Sequence, residues 1–262
     1  MKNTFTKAMA VLAVATLSMS CNSDDNNTPV AVGTGNLTIE YDNSFAGNDL
    51  ILGTQPNLTS TGEILKITTA KYIVSNIELT DQNGTVFAYP KSQSYFIVDE
   101  TKPSSLFVRL ENIPAGDYVK LKFGIGVDQA QWELGASGQG NFLQQAEDAD
   151  LLWNWTAGYK FLALEGMFTS PTVSEETMFM VHTGKTGSDY NYTAVTIDLP
   201  TQALVRTNIT PEIHVVADLS KITDGTNKIK LSEGAMVMGG TKLAQITANL
   251  SQMFSIAHVH ND

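Results

Sequence analysis

Apolar and polar residues alternate with a period of two through most of the chain beyond residue 35. In YVKLKFGIGV (118–127), Val119, Leu121, Phe123 and Ile125 share one face and Lys120 and Lys122 the other, which predicts a half-buried strand. Segments rich in Val, Ile, Phe, Tyr and Thr at 36–42, 65–80, 94–100, 105–113 and 117–128 read the same way. Turn signals separate them, among them DQNGT (81–85), where Asn83 and Gly84 both tolerate positive φ. Further strands are predicted at 157–168, 176–183, 191–199 and 211–218. The glycine-, glutamine- and acid-rich residues 129–150 break the rhythm and read as a long, partly ordered loop crossing one end of the sheets. A helical period appears at 240–254, where Leu243, Ile246, Leu250 and Met253 recur and Thr241 is placed to cap the start. About nine strands and one C-terminal helix make an all-β Greek-key, immunoglobulin-like β-sandwich the expected fold.

The first twenty residues follow a different logic. Lys2 and Lys7 precede an apolar run at 8–17, which is too short to span a bilayer and reads as a secretory signal peptide over 1–20. Cys21, the only cysteine, stands at the junction, although Leu17 lies four residues before it rather than three. The expectation is a lipidated cysteine followed by a flexible linker over 21–34, with one domain at 35–262. The acidic NSDDNN at 22–27 resembles the export signals of some Gram-negative surface lipoproteins. The expected location is the outer membrane, facing periplasm or cell exterior and held through lipid alone.

Charge narrows the partners. The formal net charge of -11 becomes about -13 once Lys2 and Lys7 leave with the signal peptide. A body this acidic disfavours nucleic acid, whose phosphates require Lys and Arg. Motifs for zinc proteases, serine hydrolases and nucleotide loops are missing, and the adjacent carboxylates Glu147-Asp148 and Glu175-Glu176 read as solvated. The chain is not expected to be an enzyme.

Candidate chemistry rests on four histidines and three tryptophans. His258 and His260 flank one residue, so an extended backbone points both imidazoles the same way, a half-site for zinc or copper. Met178, Met180 and His182 would share one face of a strand, a soft set that suits Cu(I), and Met236 and Met238 repeat the spacing. Met178 and Met180 also serve as ordinary core fillers. His214 sits among alternating strand residues and stays outside the proposed site. Trp153 and Trp155, in an extended run, would project to one side as core, sugar-stacking platform or wall of a metal site.

The order of three motifs carries a resemblance. FGIGVD (123–128), WNWTAGYKF (153–161) and HTG (182–184) follow the F-x-x-G-V, W-x-W-x-x-G-Y-x-F and H-x-G signatures of the MbnP family, which is named for a protein of methanobactin operons that handle copper. The resemblance extends over about residues 35–260 and implies an exported β-sandwich that binds copper without catalysis. It also implies a dihaem peroxidase-like (MbnH-type) partner, which oxidises a tryptophan to kynurenine beside the histidine ligands. Carried over, Trp153 or Trp155 is the modified position and His182 a ligand. Where some branches carry an Asn-His pair after the first signature, this chain reads GVDQAQWEL (126–134), and the disulfide-forming cysteines of those branches are missing too. Either His258 and His260 complete the set with His182, or this branch keeps the scaffold as a surface binding or structural lipoprotein without copper.

Overall fold

The structure, a computed structural model, describes residues 32–262; the expected signal peptide and Cys21 lie outside them. Twelve strands and four helices position the site. They are β1 (Thr34–Phe45), β2 (Ile64–Asp81), β3 (Tyr95–Asp99), β4 (Phe107–Pro114) and β5 (Gly116–Ile125). Helices α1 (Gln129–Trp132) and α2 (Phe142–Asp148) precede β6 (Leu152–Asn154), β7 (Gly158–Ser170), β8 (Val173–Thr186) and β9 (Thr193–Val205). The chain finishes with β10 (Glu212–Asp218), α3 (Ser220–Asp224), β11 (Met236–Val237), α4 (Gly240–Leu250) and β12 (Phe254–His260).

Two sheets form an all-β sandwich. In the first, β1 runs parallel to β10, with Ile39 opposite Ile213 and Tyr41 opposite Val215, and antiparallel to β4. Strand β12 pairs with the other edge of β10. In the second sheet the 18-residue β2 is shared among several neighbours: its first half pairs with β7, its second half with β5, and its middle, Lys71 to Ser75, with β3. Beyond β7 lies β8, and beyond β5 lies β9.

The inward faces follow from alternation. Leu37, Ile39 and Tyr41 of β1 and Leu121, Phe123 and Ile125 of β5 are fully buried. Tyr41 packs edge-on against Tyr72 and Phe123 at 6.1 and 5.7 Å, and Phe254 closes the cluster against Phe123 at 5.0 Å. Each such pair adds about 0.5–1.5 kcal/mol beyond its area burial. In β5 the predicted pattern shifts at one end, where Tyr118 is buried in place of Val119 and a register irregularity falls between Thr80 and Asp81 of β2. At the 81–85 turn only Gly84 takes positive φ, while the Asp81 carboxylate accepts from the N–H groups of Asn83 and Thr85.

Residues 129–150 are not the expected loop. They form α1 and α2, joined by a 3-10 turn, and build a second core on the opposite face of the second sheet. Phe142 and Ala146 of α2 pack there with Ala149, Leu151, Ile73, Val127, Tyr159, Phe161 and Ala163. Asp128 caps α1 by accepting the Gln131 N–H.

The predicted C-terminal helix is α4, with Leu243, Ile246 and Leu250 buried. It ends four residues short of the expectation, because the Met253 N–H turns back to the Leu250 carbonyl and β12 begins at Phe254, which must enter the core. Gly239 stands at its N-terminal boundary with no side-chain cap, so Thr241 does not fill that role.

Candidate functional site

His182 lies on β8 directly opposite Ala163 of β7, and its neighbours Val181 and Phe179 point into the main core. The imidazole therefore faces the other way, towards the second core. It is 3 % exposed, and its Nε2 sits 2.6 Å from Oε1 of Glu165, two residues along β7. A carboxylate only accepts, so Nε2 carries the hydrogen and donates it. In the neutral ring this leaves Nδ1 as a bare lone pair, and Nδ1 is buried with no hydrogen-bond partner. An orphaned buried polar atom costs about 1–3 kcal/mol.

The indole of Trp153, from the short β6, lies 6.1 Å from the His182 ring at an interplanar angle of 55°. Gly184 makes that approach feasible. A Cβ at Gly184 would stand 2.5 Å from the Tyr159 carbonyl oxygen and 2.9 Å from the Trp153 ring. Gly126 does similar work below: its φ is +103° and a Cβ there would overlap the ring of Phe161. The segments 123–127, 153–161 and 182–184 thus interlock as one cluster.

Trp155 belongs to a different arrangement. Strand β6 ends at Asn154, whose side chain accepts the Ala157 N–H, so Trp155 lies in a turn rather than alternating with Trp153. The expected common face of the two indoles is not formed. Trp155 stacks on Trp132 of α1 at 6.2 Å and 21°, and meets Tyr159 edge-on. Lys185 covers Trp132, its Nζ 5.0 Å from the ring centroid. Beside this stack Asp128 gathers donors from Lys91, Asn76, Tyr95 and the Gln131 N–H. Burial alone would raise its pKa, but these hydrogen bonds outweigh burial and bring it down to about 2.

The sequence model of the MbnP family matches residues 34–255, spanning all three motifs. The chain belongs to the MbnP family. Among solved structures, MbnP from Methylosinus trichosporium superposes with a TM-score of 0.51 at 16 % identity, covering 88 % of this chain and 99 % of that one. At that identity the likeness speaks for the fold. No curated protein sequence matches this chain.

Within this MbnP fold the three candidate ligands divide. His258 and His260 lie on β12 in the first sheet, where His258 faces His214 of β10 across the strand pair. The His258 ring lies 4.5 Å from His214 and 4.5 Å from His260, and His214 contacts Glu40 of β1. His182 sits on the second sheet with Trp153 and Glu165. The anticipated trio His182, His258 and His260 is therefore not brought together, because its members alternate outward from different sheets. Among the described residues, no group of three or more His, Cys, Asp or Glu side chains is disposed to hold a metal ion.

Sequence reasoning missed Glu165, Trp132 and the position of His214. An acidic residue inside the apolar strand FLALEG was the available signal for Glu165. Trp132 was hidden by the polar composition around it.

A single donor remains beside Trp153. His182 offers a buried nitrogen lone pair, oriented by a carboxylate on the other ring nitrogen, as is usual for metal-bound histidines. Trp153 as encoded offers only its aromatic face.

Proposed function

We propose that this MbnP-family chain is an exported, lipid-anchored protein that binds copper without catalysis, with His182 as the protein's nitrogen ligand and Trp153 as its neighbouring wall. The observation that carries the reading is the buried, unpaired Nδ1 of His182 beside the Trp153 indole.

Each residue has a defined task. Glu165 accepts the Nε2 hydrogen and fixes the tautomer and orientation of the ring. Gly184 leaves room for the indole. Leu162 and Leu164, on the opposite face of β7, anchor the strand in the main core and hold Glu165 in place. Bound at His182, Cu(I) would take a soft or borderline donor set, and imidazole is compatible with it.

In this proposal a dihaem peroxidase-like partner passes electrons from Trp153 to hydrogen peroxide, the terminal oxidant and oxygen source. The indole C2–C3 bond breaks, C2 leaves as formate, and kynurenine and water are formed. Kynurenine exposes an aniline nitrogen and a ketone, adding donors where the encoded residue has none. Trp153 is preferred over Trp155 because Trp155 is engaged with Trp132 and Tyr159. Fragmentation mass spectrometry of protein from the native host tests the assignment: oxidation at 153 supports it, and oxidation confined to 155 refutes it. The anchor is tested by palmitate labelling of wild type and Cys21→Ser, with label expected on the wild type alone.

The competing reading is a cell-surface binding or structural lipoprotein using Trp153 and Trp155 as an exposed platform far from every histidine. The contact between Trp153 and His182 disfavours it.

A further inference from the structure

Five of the chain's nine methionines gather on or beside the outward face of β7, β8 and the short edge strand β11. On β8, Met178 and Met180 precede His182 on the face turned away from the main core. Met167 of β7 stands opposite Met178, and Glu165 stands opposite Met180. On the far edge of β8, Met236 of β11 runs beside Met180 in parallel register, and the Met180 N–H donates to the Ala235 carbonyl. Met238 follows two residues later.

These side chains are not core fillers. Met178 is 49 % exposed and Met236 56 % exposed, whereas Met253, which does fill the core, is 1 % exposed. The inward partners of the same strands, Phe179, Val181 and Val237, already supply the burial that anchors them. Outward positions on such a sheet ordinarily take Thr, Lys or Glu, because apolar exposure there gains nothing for folding. Met167, Met178, Met180 and Glu165 also line a shallow cleft of about 250 Å³. Several neutral, polarisable thioethers around one cleft match a soft monovalent cation, Cu(I), and discriminate against Mg, Ca and Zn. The Glu165 carboxylate in the same cleft wall supplies negative charge and makes the hydrogen bond to His182.

We infer that Met167, Met178 and Met180 form a thioether site for Cu(I) on the outer face of the second sheet, with Met236 beside Met180 at its rim, adjoining His182 through Glu165. The site stands independently of the reading of His182 as a copper ligand.

The test uses full-length purified protein titrated anaerobically with Cu(I) against a colorimetric chelator. Three proteins are compared: wild type, the triple variant Met178→Leu, Met180→Leu, Met236→Leu, and His182→Ala. Leucine keeps apolar area and volume while removing sulfur, so the triple variant remains folded, as circular dichroism would show. The triple variant is expected to lose one equivalent of Cu(I) that His182→Ala retains. X-ray absorption of His182→Ala carrying that equivalent is expected to show sulfur neighbours. Wild-type stoichiometry and affinity in the triple variant, or nitrogen and oxygen neighbours only, would overturn the inference and mark the patch as a merely apolar surface. Failure of the His182 reading is separate, since it shows in the titration of His182→Ala alone.

Discussion

Glu165 and His182 are joined across the β7–β8 pair by a hydrogen bond of 2.6 Å, and this bond leaves the other imidazole nitrogen buried and unpaired. The carboxylate thereby fixes which nitrogen is free. Replacing Glu165 by Gln keeps the shape but removes the charge. Glu165→Gln is expected to weaken the His182-dependent copper equivalent by about 10–100-fold, as second-sphere losses typically do. Chelator competition measures this, and an unchanged affinity would show that the carboxylate does not tune the ring.

The separation of the histidines makes a prediction in the opposite sense. His258 and His260 neighbour His214, not His182. The double variant His258→Ala, His260→Ala is expected to retain the His182-dependent equivalent at wild-type affinity. Loss of that equivalent would mean that the C-terminal strand does reach the site.

Gly126 tests the interlocking of the motifs. Its φ of +103° disfavours any side chain, and the Phe161 ring occupies the space a Cβ would need. Gly126→Ala is expected to destabilise the fold by about 1–3 kcal/mol through overpacking, with further strain from the backbone. Urea denaturation reads this as a lowered midpoint with little change in slope.

Asp128 gives the acid dependence. Its folded-state pKa is brought down to about 2, below the ordinary carboxylate value of about 3.9. The stability contributed by the charged form is therefore complete above the ordinary value and lost as pH falls through about 2. In Asp128→Asn that part of the decline should disappear. Urea midpoints at about pH 5 and about pH 3 would then differ less for the variant than for wild type. An equal difference in both proteins would refute the role assigned to Asp128.

Much of the scaffold was legible because half-buried strands announce themselves by alternation. Leu121, Phe123 and Ile125 were placed correctly on that signal alone. The segment 129–150 was misread because α1 and α2 are too short to show a helical period. Only Phe142 and Ala146, one turn apart, betray α2, and the surrounding Gln, Gly and acidic residues mimic a loop. Trp132 vanished with it. The strand β12 is half visible in sequence: the spacing of His258 and His260 suits an extended segment, but its pairing with β10 is a long-range contact that local pattern cannot supply. The same holds for Glu165 and His182, which meet only through the register between β7 and β8, and that register shifts at Lys160/Leu162. The separation of Trp153 from Trp155 was hidden by a strand that stops one residue earlier than its apolar pattern suggests.

Copper binding as proposed stands or falls with His182 beside Trp153. Anaerobic Cu(I) titration of wild type and His182→Ala, purified identically from the native host, tests it most directly. His182→Ala is expected to lose one equivalent while keeping its fold and its Trp132–Trp155 stack. A variant that binds copper with wild-type stoichiometry and affinity would contradict it.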